Sequence, residues 1–173
     1  VAVSEAFAVI EGESILTKRG MAAMQKAGWK ETWEGVTMAM SRWWHIIWTS
    51  IIGLVIGIVP GAGAAIASFV AYQQSKTFSK TPELYGTGHL DGLVAPESAN
   101  NGVTSGTLIP LLVIGVPGGA TAAIMAVVLQ YHGVTVGPDL FDNQPELAFG
   151  AFTAMAVTYA IMILTVLPLA RYM

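Results

Sequence analysis

The chain has 173 residues, 54% of them hydrophobic and only 11% charged, where a soluble domain carries roughly a quarter. A net charge of −3 with no basic stripe excludes a nucleic-acid-binding class, and the absence of cysteine excludes disulfides and thiolate metal sites.

The placement of the charges decides the class. No Asp, Glu, Lys or Arg occurs from Trp43 to Ser75, from Ser98 to Pro138, or from Leu147 to Ala170. A helix needs about 20 apolar residues to cross roughly 30 Å of hydrocarbon, and each stretch is at least that long. With a mean hydropathy of +0.61, this predicts an all-α, polytopic integral membrane protein. The chain opens on Val1-Ala2-Val3, without initiator Met or signal-peptide pattern, and closes on Arg171-Tyr172-Met173 after an apolar run; it reads as a piece of a longer subunit.

Residues 1–42 mix charges such as Glu11, Lys18, Arg19 and Glu34 with scattered apolar positions. Trp29, Trp33, Val36 and Met40 fall three and four apart, which predicts an amphipathic, interfacial helix; a loop with one short turn is the alternative. Residues 43–75 open on Trp43, Trp44 and Trp48, residues suited to the membrane interface. As one helix this run would be about 50 Å long, too long for an upright crossing. Pro60 cannot donate to Ile56 and is followed by Gly61-Ala62-Gly63, so a transmembrane helix broken at that point is expected, its halves either crossing or re-entering.

Residues 76–97 are predicted to be a polar loop. Residues 98–132 form a second broken transmembrane segment, interrupted at Pro117-Gly118-Gly119, so that Val59-Pro60-Gly61 and Val116-Pro117-Gly118 make a short internal repeat. A loop at 133–146 and a plain transmembrane helix at 147–170, with Pro168 near its end, complete the pattern. Small residues recur at every fourth position: Gly53, Gly57 and Gly61; Gly63, Ala67 and Ala71; Gly118, Ala122 and Ala126. In lipid this spacing permits close helix–helix approach.

Unwound backbone at membrane depth is tolerated only where protein buries it or a wet cavity faces it, so the breaks are candidate binding positions expected to lie close together. Half-helices starting after them aim free amides and a partial positive charge outward, which suits an organic carboxylate. Gly61, Ala62 and Gly63, with Gly118, Gly119 and Thr121, are the candidates. Carbonyls freed near Ile56 and Val113 suit a coupling cation such as Na⁺, and Glu97 suits ion or proton coupling. Asn100, Asn101, Thr104 and Ser105 follow as polar side chains in an apolar run; Asn100 and Asn101 are expected to face the protein interior. Kinks that only shape the bundle, asparagine capping at an interface and a water-exposed Glu97 are the bland alternatives.

No catalytic constellation appears. Gly102-Val103-Thr104-Ser105-Gly106 lacks the serine placement of a G-x-S-x-G elbow, and no P-loop lysine follows a glycine run. His45, His89 and His132 are too far apart for a local metal motif. Neither an enzyme nor a bound metal or cofactor is expected.

Gly57-Ile58-Val59-Pro60-Gly61-Ala62-Gly63, Tyr72, Lys76, Tyr85-Gly86-Thr87-Gly88, Ala95-Pro96-Glu97, Asn100-Asn101, Leu108-Ile109-Pro110-Leu111-Leu112 and Gly115-Val116-Pro117-Gly118 occur in one order. In this the chain resembles the large membrane subunit of bacterial tripartite tricarboxylate transporters, through about residues 50–145. Gly102 departs from the alanine usual there, Gly119 from serine, and Val136 from the start of a Pro-Gly-Pro turn. The resemblance implies a multi-pass inner-membrane carrier working with a small membrane subunit and a periplasmic solute-binding protein. It would take up a carboxylate such as citrate on an ion gradient without hydrolysing ATP. A channel or a non-transporting membrane scaffold is the alternative.

Overall fold

The computed structural model describes residues 28–170, and within them every regular element is helical. Residues 1–27 of the expected interfacial segment lie outside the described residues. Its remainder forms α1, Trp29–Met40, in which no residue is buried. Then follow α2, Trp43–Ile58; α3, Gly63–Phe78; a 3₁₀ turn, Pro82–Leu84; and α4, Leu90–Gly106. The second half holds α5, Leu108–Ile114; α6, Ala120–Tyr131; the short α7, Pro138–Asn143; and α8, Pro145–Ala170.

The break at Val59–Ala62 turns the chain back on itself. His45 near the start of α2 lies 3.0 Å from Ser75 near the end of α3, and the Trp48 and Phe78 rings meet at 6.4 Å. The expected broken helix is therefore an antiparallel hairpin. The left-handed φ of +84° at Gly61 and +68° at Gly63 makes the reversal possible, a conformation glycine adopts without the Cβ penalty.

α4 lies against both arms of this hairpin. It runs parallel to α2, with Ser50 Oγ donating to the Ser98 carbonyl at 3.3 Å, and antiparallel to α3, with Ser68 Oγ donating to the Pro96 carbonyl at 3.1 Å. The reason they approach so closely is glycine on both sides of the seam. A Cβ at Gly57 would stand 2.7 Å from the Val103 carbonyl oxygen, and one at Gly53 would strike the backbone of Ala99. Gly102 and Gly106 answer from α4: a Cβ on either would strike the Ser50 or Leu54 carbonyl. Backbone packs on backbone here, as interhelical small-residue spacing allows in lipid. Ala67, Ala71 and Ala99 are fully buried between α3 and α4.

The predicted polar loop at 76–97 needs correction. Helix α3 continues to Phe78 and α4 begins at Leu90, so the charged Asp91 and Glu97 are helical. Boundaries drawn at the last charge fail because Asp91 is paired with Arg42 at 3.2 Å while Glu97 lies on the exposed face of α4. The second charge-free run is likewise interrupted twice, at Thr107 between α4 and α5 as well as at Gly115–Gly119. Pro110 explains the first: it has no amide to donate to Gly106. The 133–146 segment contains α7, and the last helix begins at Pro145 rather than Leu147.

A second core joins α5, α6, α7 and the start of α8 around Leu108, Leu111, Leu112, Ala122, Ala126, Leu140 and Ala148. Outward faces are apolar instead: Ile51, Val55, Phe69, Ile124, Val127 and Leu164 are each 52–73% exposed. Among the described residues one helix, Pro145–Leu169, is by itself long and apolar enough to cross a membrane.

Candidate functional site

The two breaks meet. The Gly61 amide donates to the Gly118 carbonyl at 3.1 Å, and the Gly118 amide donates to the Thr107 carbonyl at 3.2 Å. Residues 115–118 run back along α5, with Gly115 N–H donating to Leu111 and Val116 N–H to Pro110. This strap carries Gly118 to a place where a Cβ would stand 2.8 Å from both the Gly57 carbonyl oxygen and Thr107 Cα. Gly118 is glycine for lack of room, since its φ is not left-handed; Gly61 is glycine for its φ, with nothing within 4 Å of a Cβ.

This corrects the expectation that the amides of Gly61 and Gly118 stand free for an anion. Each is consumed inside the protein, because buried backbone groups without partners are costly and the breaks supply one another. Among the described residues the amides of Gly63, Ala64 and Ala65 at the start of α3 have no partner, nor do those of Ala120, Thr121 and Ala122 at the start of α6; the Ala123 amide already donates to Gly119. The Ala62 amide donates to the Val59 carbonyl at 3.2 Å, so it too is used within the turn, and Gly119 lies against the Thr107 methyl.

The register of α3 on α4 brings asparagine into the same neighbourhood. Ser68 pairs with Pro96, and one turn away Tyr72 lies against Gly92, so Ala64 is level with Asn100 and Pro60–Gly61 with Thr104. Glu97, Asn100, Asn101 and Thr104 are all exposed, and they form one polar stripe three and four residues apart. The expectation that Asn100 and Asn101 face the interior of this chain is thus wrong, and so is the capping alternative, since both are mid-helix. Asn101 Nδ2 donates to the Glu97 carbonyl at 3.0 Å and Thr104 Oγ1 to Asn100 at 3.4 Å, whereas the Asn100 amide has no partner among the described residues. Ser105 turns away, into an apolar groove with Leu54 and Leu108.

Of the two carbonyls expected to be free, Ile56 accepts the Val59 amide at 3.1 Å. Val113 fits better: the residue four ahead is Pro117, which has no amide, and the Val116 amide goes to Pro110 instead. Thr121 is exposed on the first turn of α6. No group of three or more His, Cys, Asp or Glu able to hold a metal occurs among the described residues.

Sequence reasoning missed a polar cluster at the far end of the hairpin. Trp48 Nε1–H donates to His45 Nδ1 at 3.2 Å, Ser75 Oγ lies 3.0 Å from His45 Nε2 and 2.7 Å from Tyr85 OH, and Tyr85 OH donates to the Ser75 carbonyl at 3.1 Å. His89 stacks on Tyr85 with ring centroids 5.1 Å apart. Two histidines far apart in sequence are brought to one place by the fold-back; His132 stays apart, against Tyr131.

A family model described as "Tripartite tricarboxylate transporter TctA family" matches residues 1–173, the whole chain. Two curated proteins from Agrobacterium vitis are each 36% identical: an uncharacterized 52.8 kDa protein in the TAR-I ttuC' 3' region, over 72% of this chain, and an uncharacterized protein in the TAR-II ttuC' 3' region, over 68%. The match takes in 25% of the first relative's length and 48% of the second's. No solved structure matches. The motifs at the two breaks and the match over the full chain agree: this chain belongs to the tripartite tricarboxylate transporter TctA family.

Proposed function

We propose that this chain forms part of the substrate pathway of a secondary carrier for tricarboxylates or related organic acid anions. The observation that carries the reading is the hydrogen-bonded meeting of Gly61 and Gly118, which holds two helix starts beside a polar stripe in a chain otherwise apolar on the outside. First-turn amides of α3, with the Asn100 side-chain amide level beside them, supply the donors a carboxylate needs. Thr121 and the amides of α6 supply a second set. A polar stripe of Glu97, Asn100, Asn101 and Thr104 is costly against lipid, so it faces water or further protein of the same subunit.

Coupling to Na⁺ or protons completes the reading. The unpaired Val113 carbonyl suits a cation and Glu97 suits either ion, so no ATP is needed. The protein sits in the bacterial inner membrane with several crossings, its basic end of Arg42, Lys76 and Lys80 toward the cytoplasm. A small membrane subunit and a periplasmic solute-binding protein are its partners, and the chain is not an enzyme.

The test is uptake of radiolabelled citrate by the complete transporter in proteoliposomes, supplied with its binding protein and an imposed Na⁺ or proton gradient. Saturable uptake that collapses with the gradient is expected. Conductance without stoichiometric ion coupling would make it a channel, and neither activity would leave a scaffold.

A further inference from the structure

The polar cluster at the open end of the hairpin encloses a cavity of about 600 Å³. It lies one helix length from the breaks, about 24 Å for a helix the size of α2. Trp43, Trp44 and Trp48 at the start of α2, with the charges of Arg42, Lys76 and Lys80, suit this end to the membrane–water interface.

The deep wall of the cavity is closed to a ligand. An indole N–H can only donate, so His45 Nδ1 accepts from Trp48 and Nε2 donates to Ser75 Oγ. Tyr85 OH donates to the Ser75 carbonyl and accepts from Ser75 Oγ. The charge of Asp91 is matched by Arg42 Nε at 3.2 Å. Asp91 Oδ1 and His89 Nδ1 are buried beneath the surface, out of a ligand's reach.

The unused groups are donors, and they stand at the mouth. The Arg42 side chain is 47% exposed and its Nη groups have no partner among the described residues; Lys80 is exposed and forms no ion pair among them. The Thr81 amide donates to Ser79 Oγ at 3.1 Å, which folds residues 79–81 into a turn, and the Thr81 hydroxyl donates to no group among the described residues. Donors without a reachable acceptor select an oxyanion, and with Arg42 offset by Asp91 a single negative charge balances Lys80. Two rings on the same mouth face outward, Trp44 at 64% and Phe78 at 75% exposed. They call for hydrocarbon, which a water-soluble anion does not bring.

We infer that this mouth is a binding site for one anionic phospholipid, its phosphodiester held by Lys80, the Arg42 Nη groups and the Thr81 hydroxyl, and its acyl chains lying along Phe78 and Trp44. A phosphodiester carries one negative charge and accepts without donating, which matches the groups left over. The inference rests on the chain's place in a membrane and not on what is transported. Diffuse attraction of a basic end to an anionic bilayer would draw on Lys76 as much as on Lys80. A built site would not, because Lys76, four residues earlier, does not line the cavity.

The experiment is native mass spectrometry of the complete transporter in detergent, titrated with dioleoyl phosphatidylglycerol or dioleoyl phosphatidylcholine. Wild type is expected to retain phosphatidylglycerol about fivefold or more tightly, the effect of about one basic group near an anionic headgroup. Lys80→Gln, which removes no contact within the fold, should erase that preference, and Lys76→Gln should keep it. Phe78→Ala should weaken both lipids. Inorganic phosphate and glycerol 3-phosphate at millimolar concentration should displace neither. Displacement by either one would make this a site for a free oxyanion and overturn the lipid assignment. Equal losses in Lys76→Gln and Lys80→Gln, or no preference in wild type, would overturn the site itself. No retained lipid together with a lower folded yield for Lys80→Gln would give the cavity to another part of the subunit, again overturning the inference. Retention that follows Lys80 while wild type shows no uptake supports the lipid site and counts against the carrier reading alone.

Discussion

Gly61 donates its amide to the Gly118 carbonyl over 3.1 Å, so two interruptions distant in sequence act as one structural unit. The glycines serve it differently, and substitution separates them. Gly61→Val forces a branched side chain into a left-handed conformation, costing on the order of 1–2 kcal/mol, with open space around it. The protein should still insert and assemble, and uptake per folded molecule should fall at least tenfold. Gly118→Val instead drives its side chain into the backbone of Gly57 and Thr107, so the main loss should be folded protein. Quantitative blotting of detergent-stable protein, beside uptake from the same vesicles, distinguishes these outcomes; equal folded yields for both variants would contradict the assignment.

The hairpin makes a topological prediction. Arg42 and Lys80 lie on one cavity, so single cysteines placed at each in a cysteine-free background should react with an impermeant maleimide from the same side of the membrane. A straight helix through Pro60 would put them on opposite sides. Labelling of right-side-out and inverted vesicles decides between the two.

Much of this arrangement was legible in the sequence, and what was not has a physical cause. Proline without an amide, beside glycine, marks both breaks, and the four-residue spacing of Gly53, Gly57, Ala67 and Ala71 marks the seam with α4. The direction of the chain after Pro60 was not legible, because it depends on left-handed φ at Gly61 and Gly63 that glycine permits but does not require. The start of α4 was misplaced because charge was read as a loop signal, whereas Asp91 has its counter-charge in Arg42, just before α2. The cavity joins Arg42, His45, Ser75, Lys80, His89 and Asp91, whose proximity exists only after the fold-back; the histidines at its two ends were the only local hint.

The α2–α4 seam should be intolerant of one methyl group. Gly102→Ala puts a Cβ into the Ser50 carbonyl, so the helices must separate, at a cost of about 1–3 kcal/mol. Gly35→Ala on the exposed face of α1, where a Cβ meets nothing within 4 Å, should be neutral or gain up to about 1 kcal/mol from helix propensity. Thermal unfolding in detergent, followed by near-ultraviolet signals, should lower the midpoint for Gly102→Ala alone. A relative with alanine at this place would have to hold its helices further apart.

The last prediction concerns the asparagines. Asn101 donates its side-chain amide to the Glu97 carbonyl, but the Asn100 side-chain amide has no partner among the described residues and is level with the first turn of α3, where the Ala64 amide likewise has none. If a carboxylate rests on those amides, Asn100 can donate to it without breaking any existing bond, whereas Asn101 must first give up its own. Replacing Asn100 by Ala should therefore remove a hydrogen bond to a charged group, about 1.5–3 kcal/mol. At about 1.4 kcal/mol per tenfold, the apparent affinity for the transported acid should fall roughly 10- to 150-fold. Asn101→Ala should cost less than half as much in free energy, because helix propensity improves and only an internal bond is lost. Neither change should move the folded yield, since both residues are exposed. Uptake across a concentration series, with KM and maximal rate separated, checks the order. Equal effects on the two positions would mean that the stripe acts only as a wetted surface, and a larger effect at Asn101 would place the acid beside Glu97 rather than beside the helix break.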